Sequence, residues 1–223
     1  MILSSGVLNA TPTLIPIVFD SPIHNAQQQA AIATIKANAL YKEAFRRLGY
    51  QYITQAYPGK RSIYLVEQAK IDGLVHRVKL FEQHHPKLIR VKEPIVSIHI
   101  AAYGMNPKLK INHWQDLQHN SYQVNYWRNI EFIQQKLQTV LPESSLEAVN
   151  SSESGLRKLM IGRADIFIGV ASVVDIPHQQ AEFKSIIKLG VIQEVPLYPY
   201  LNQRHKELAP KLANMLRQVK EED

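Results

Sequence analysis

Arg77, Arg61 and Arg128 fall at expected strand ends or helix starts, where a planar guanidinium suits two-pronged capture of a carboxylate or phosphate. Arg77 ends the run Ile71–Val78 (IDGLVHRV), beside His76, a candidate hydrogen-bonding side chain whose charge would follow pH. Arg61 follows the breaker Pro58-Gly59 at the start of a helical segment, where free backbone N–H groups already favour anions. Arg128 follows the strand-like Tyr122–Trp127 and precedes a helix capped by Asn129. Ser151 and Ser152 open another helix ahead of Gly155 and bring hydroxyl donors. Asp20 closes an apolar run next to Pro22 and supplies an acceptor for a solute amine or hydroxyl. Tyr103, Trp127 and Tyr198 are candidates for the apolar walls that a bound polar solute needs. Each has an ordinary structural counterpart: a solvated arginine, a helix N-cap at Ser151, a turn residue at Asp165, core packing for the aromatics.

Other chemistries are excluded by residue type and spacing. The chain has no cysteine, so a disulfide framework, a cysteine zinc site, an iron–sulfur centre and a thiol nucleophile are all ruled out. Its 9 histidines form neither His-x-x-x-His nor His-Glu-x-x-His, and adjacent His84 and His85 cannot both face one ion on regular structure. The run Ser151–Gly155 (SSESG) lacks the leading glycine of a nucleophile elbow, and no phosphate loop or dinucleotide fingerprint occurs. No cofactor is expected and nothing demands turnover.

With 26 Lys+Arg against 19 Asp+Glu, the net charge of +7 suits an anion binder or a nucleic-acid binder. The positives are dispersed: Glu43 stands among Lys42, Arg46 and Arg47, and Glu221, Glu222 and Asp223 end a mixed-charge helix. No nucleic-acid partner is therefore expected. No stretch reaches the roughly 18 apolar residues of a membrane-spanning helix. Met1–Ala10 (MILSSGVLNA) has no basic leading region and no long apolar run, so it reads as the stub of a signal peptide or as an ordinary terminal segment.

The elements that must position these residues follow an α/β order. Leu14–Phe19 reads as a buried strand, and a helix from about residue 30 to Leu48 carries Ala37, Tyr41, Ala44 and Leu48 on one face before Gly49 stops it. Tyr50–Ala56 is a strand, a helix with Ser62, Leu65, Val66 and Ala69 on one face follows, and Ile71–Val78 is the third strand. That order predicts parallel pairing through crossover helices, with the strand C-termini on one edge. Leu88–Tyr103 is too long for one ordinary strand and is expected to bend at Pro94 or pass between domains.

A second α/β series follows: a short helix at Trp114–Leu117, strand Tyr122–Trp127, a helix from Asn129 to Leu141, strand Leu146–Val149, a helix Ser152–Arg163 burying Leu156, Leu159 and Met160, and strand Ile166–Val170. Val191–Tyr200 and a helix with Leu208, Leu212, Met215, Leu216 and Val219 close the chain. Two α/β lobes with a crevice at the strand C-termini form a ligand-binding architecture.

Several motifs in this order carry a family resemblance. They are Ala44-Phe45-Arg46-Arg47-Leu48-Gly49, Pro58-Gly59-Lys60-Arg61-Ser62, Asp72-Gly73-Leu74-Val75-His76-Arg77, Trp114-Gln115-Asp116-Leu117, Gly162-Arg163-Ala164-Asp165-Ile166 and His205-Lys206-Glu207-Leu208-Ala209-Pro210-Lys211-Leu212. The chain resembles bacterial extracellular solute-binding proteins of family 3. The resemblance implies an α/β, two-lobed type II periplasmic binding protein fold with a hinge of extended segments and a ligand cleft between lobes. Lobe 1 would be residues 11–98 plus 195–223, lobe 2 residues 99–194, with hinge strands near Ser97 and Val195.

It further implies a periplasmic monomer, its signal peptide absent from this sequence. Such a protein captures a small anionic or zwitterionic, amino-acid-like solute for a membrane transporter or a signalling receptor. The rival on the same fold is an enzyme resembling cyclic-carboxylate dehydratases. The sequence departs from the family where Asn125 and Asn129 stand in place of the usual glycines, and it lacks the phenylalanine-serine pair of the amino-acid-binding branch.

Overall fold

The computed structural model describes residues 14–22, 32–118, 121–128 and 130–222. The expected Asn129 cap, the first residues of the helix expected from about residue 30, and the segment Met1–Ala10 lie outside them. The chain divides into two compact units: unit 1 is Met1–Val96 with Leu197–Asp223, and unit 2 is Ser97–Pro196. The chain thus passes from one unit to the other inside two extended strands.

In unit 1, strand β1 (Ile15–Pro22) pairs in parallel with β2 (Tyr50–Tyr57) and β3 (Gly73–Val78), as crossover connections through helices α1 (Ile32–Arg47) and α2 (Gly59–Glu67) require. The C-terminal part of β9 (Ile187–Asn202) runs antiparallel to β3 on one side and to the short β4 (Leu88–Arg90) on the other. Gly49 ends α1 in a left-handed conformation (φ 84°) that costs glycine nothing. Ala69 lies beyond α2, not on its apolar face, and also has positive φ (54°). The stretch expected to bend at Pro94 or pass between domains is two strands, β4 and β5 (Val96–Gly104), separated at Val91–Ile95 around Pro94, which has no N–H for a ladder. The interrupted piece still tracks β9 through Val91 N–H to Pro199 O and Ile95 N–H to Leu197 O. Glu93 in this piece is held by Lys220 and Arg217 of α6 (Leu208–Glu222).

The core of unit 1 is aromatic. Phe19 of β1, Tyr41 and Phe45 of α1 and Tyr52 of β2 pack with ring centroids 5.1 to 6.2 Å apart, and Leu212 and Leu216 of α6 join the same cluster. Burial, reinforced by the neighbouring Tyr52 and Asp20, pushes the Tyr41 phenol well above its ordinary pKa. The neutral hydroxyl donates to the Val75 carbonyl, tying α1 to β3.

A second tie holds the start of β3. Asp72 accepts from the Val18 N–H at 2.7 Å, from Arg204 at 2.5 Å and from His205 at 2.6 Å. Burial alone would raise its pKa, but the bonds from His205, Val18 and Arg204 outweigh it and hold the carboxyl near about 2, below its ordinary 3.8. A folded-state pKa below the unfolded value means that Asp72 stabilises unit 1 fully above 3.8 and loses that contribution as pH falls through about 2. The stability gap between the parent and Asp72→Asn is therefore expected to narrow steadily from about pH 5 to about pH 2. Urea titrations followed by hydrogen exchange of unit 1 peptides measure it, and a gap independent of pH in this window contradicts the assignment.

In unit 2, β5 pairs antiparallel with β8 (Ile166–Val170), and β6 (Val124–Trp127) pairs in parallel with both β8 and β7 (Leu146–Val149). Helices α3 (Glu131–Gln138), α4 (Ser152–Met160) and α5 (Ala171–His178) cover the sheet. Gly155 of α4 permits close approach to the Phe167 ring, which an added Cβ would meet at 2.7 Å. Met160, expected among the buried residues of α4, is the last residue of that helix and is 41% exposed. No helix of the described residues is long and apolar enough to cross a membrane.

Candidate functional site

Parallel pairing brings the C-terminal ends of β1 and β3 to one edge of unit 1, together with the N-terminus of α2 that leaves β2. Asp20, Arg77 and Ser62 meet there. Arg77 Nη2 donates to Asp20 Oδ2 at 2.8 Å and approaches Ser62 Oγ at 3.4 Å, and Nη1 donates to the His76 carbonyl at 2.6 Å. The other Asp20 oxygen accepts the Val75 N–H at 2.7 Å. Asp20 is 0% exposed whereas the Arg77 side chain is 18% exposed, so the ion pair has an inner anion and an outer cation.

This arrangement changes the expected division of labour. Asp20 was to accept from a solute, but it is sealed beneath Arg77, and its oxygens bind the guanidinium and the Val75 backbone. Arg77 is at the expected edge, held flat by the strand carbonyl of His76 and flanked by the Phe81 ring at 5.9 Å. His76 is half-buried and takes part here through its backbone. Arg61 stands exposed in the first turn of α2.

Sequence reasoning missed Ser62 as a polar member of this site, although a serine sharing a helix face with Leu65 and Val66 was a usable signal; in the structure it is fully buried. It also missed a second guanidinium nearby. Arg90 lies over the Tyr198 ring at 4.6 Å and is paired with Glu82 at 2.9 Å, and Tyr198 is the cross-strand partner of Arg77. Both arginines are thus matched by a carboxylate, and Tyr198 is covered by Arg90.

In unit 2 the C-terminal ends of β6 and β7 share an edge with the N-terminus of α4. Ser151 caps the helix by accepting the Ser154 N–H at 3.1 Å. Ser152 is 7% exposed, and neither its hydroxyl nor Asn125 Oδ1 has a hydrogen-bond partner among the described residues. Asn125 Nδ2 donates to the Gly155 carbonyl at 3.2 Å, so this residue, expected only as a replaced glycine, pins α4 to β6. Trp127 is half-buried against the unit 2 core, and Arg128 is exposed, with its guanidinium at 3.4 Å from the Ala148 carbonyl. Tyr103 is no wall: it is fully buried, its hydroxyl donates to Asp175 at 2.7 Å, and burial raises its pKa. Asp165 is a turn residue that accepts the Gln123 N–H at 2.8 Å.

An α/β sheet in each of two units, with charged groups collected at strand C-termini, defines the fold of the two-lobed periplasmic binding proteins. Solved structures of similar fold include a histidine kinase sensor domain with similarity to periplasmic binding proteins, at TM-score 0.62 and 11% identity over 93% of this chain and 90% of that one. A putative L-cystine ABC transporter from Listeria monocytogenes is similar at TM-score 0.63 and 16% identity, over 94% of this chain and 92% of that one. No family model matches the sequence. The chain belongs to the same family as an uncharacterized protein of Shewanella oneidensis, to which it is 30% identical over 213 residues, covering 95% of this chain and 78% of the relative.

Proposed function

We propose that this protein is a periplasmic solute-binding module that takes a zwitterionic, amino-acid-like solute, without turnover, for a transporter or a signalling receptor. One observation carries the reading: Arg77 sits at the ligand edge of unit 1 with its charge already balanced by the sealed Asp20. A guanidinium so balanced still orients a carboxylate through its remaining N–H donors, but it offers little net attraction to a dianion. An anionic solute is accordingly the weaker half of the sequence-based expectation, and a zwitterion the stronger. Binding is coupled to hinge closure through the two extended strands that pass between the units. The structurally similar L-cystine transporter component and kinase sensor domain support a binding role and leave both partner classes in view.

A thermal-shift panel of amino acids, polyamines, dicarboxylates, sugars and nucleotides tests the solute class. A ligand at 1,000 times its Kd adds about 4 kcal/mol and moves the melting point by several degrees. Zwitterionic amino acids are expected to give that shift and dicarboxylates to give none. A shift by dicarboxylates or nucleotides alone contradicts the charge-balance reading.

A further inference from the structure

The two ends of the sheet order differ in how their edges are protected. Strand β7 ends the order on one side; it is four residues long and carries Glu147, paired with Lys158. Strand β2 ends it on the other side with eight residues, YQYITQAY, and no charge or proline. Its pairing with β1 is unbroken from Ile15↔Tyr50 to Pro22↔Tyr57, with no bulge to twist the edge away. Among the described residues, β1 is its one strand partner. Gln51, Thr54, Gln55 and Ala56 are exposed. A long, uncharged edge presents alternate N–H and C=O groups ready to pair with another extended strand, and natural proteins usually blunt such edges with lysine, proline or a bulge.

We propose that β2 is a self-association edge that takes β2 of a second copy of this chain, antiparallel, to continue the unit 1 sheet across a two-fold axis. The sequence of the strand fits its own reverse. Antiparallel pairing about Ile53 sets Gln51 opposite Gln55 and Tyr52 opposite Thr54, with no charge facing another anywhere along the eight residues. A two-fold axis makes such an interface closed, so it yields dimers and no filament. One strand edge buries less than the roughly 1,200–2,000 Å² of a standard interface, so the dimer is weak, with Kd of about 10 µM to 1 mM.

The test is sedimentation equilibrium of the full chain from about 10 µM to about 1 mM, a range that brackets such a Kd. The parent is expected to pass from monomer towards dimer. Thr54→Lys and, separately, Gln51→Lys place like charges near the axis and are expected to weaken the dimer at least about tenfold, with unchanged melting temperature because both side chains are exposed. Amides of Gln51–Ala56 are expected to gain hydrogen-exchange protection at the high concentration. A parent that stays monomeric throughout overturns the proposal. So does a dimer whose Kd neither lysine variant changes, since it then forms through another surface.

Discussion

Replacing Asp20 by alanine is expected to destabilise unit 1 by about 3 to 5 kcal/mol, the range for removing one partner of a buried ion pair. The carboxylate is wholly sealed, and it satisfies both the Val75 N–H and the Arg77 guanidinium. Its loss leaves a buried donor and a largely covered cation without their acceptor. Asp20→Asn is expected to cost less, since an amide oxygen still accepts from Val75. Both tryptophans, Trp114 and Trp127, lie in unit 2, so tryptophan fluorescence follows that unit alone. Hydrogen exchange of unit 1 peptides should therefore show the loss while the tryptophan-detected transition hardly moves. Equal loss in both units, or none in unit 1, contradicts the sealed-pair description.

The second large effect concerns affinity. Arg77→Lys keeps a positive charge above Asp20 but removes the planar fork, so stability should change little while the seat for a solute carboxylate is lost. A lost charged contact to a buried solute group costs about 2 to 5 kcal/mol, or roughly 30-fold to several thousand-fold in Kd. Titration of parent and variant with the amino acid selected by the thermal-shift panel measures this. Equal Kd values would show that Arg77 serves only Asp20. Read together, the two substitutions separate the structural half of the pair from the binding half.

Most of the architecture was legible because short apolar runs bounded by turn residues specify strands almost residue by residue. Leu146–Val149 and Ile166–Val170 are strands over the expected spans. Helix α5 was not legible: Ala171–His178 begins without a capping side chain, contains Pro177 and is only eight residues long. It forms because Val174 packs into the unit 2 core, a tertiary cause that local pattern does not contain. Met160 fits the apolar stripe by its four-residue spacing from Leu156, and only its exposure at the last position of α4 shows that the core stops short of it.

The site was legible in position and illegible in pairing. Strand order alone places Asp20 and Arg77 on one edge, but nothing local joins residues 57 apart into one ion pair. That pairing decides the chemistry open to Arg77, since a buried carboxylate already matches its charge. Similarly, Tyr103 fits an aromatic wall by residue type, and only its full burial and its bond to Asp175 assign it to the core.

The central claim, a charge-balanced seat for a zwitterion, is tested most directly by calorimetric titration of the intact chain with pooled L-α-amino acids. Two control pools carry the same side chains, one as methyl esters without the carboxylate and one as N-acetyl derivatives without the ammonium group. Saturable heat with one site per chain from the zwitterions, and none from either control, is the predicted result. No heat from the zwitterions with a folded protein, or equal heat from the N-acetyl anions, would contradict the account.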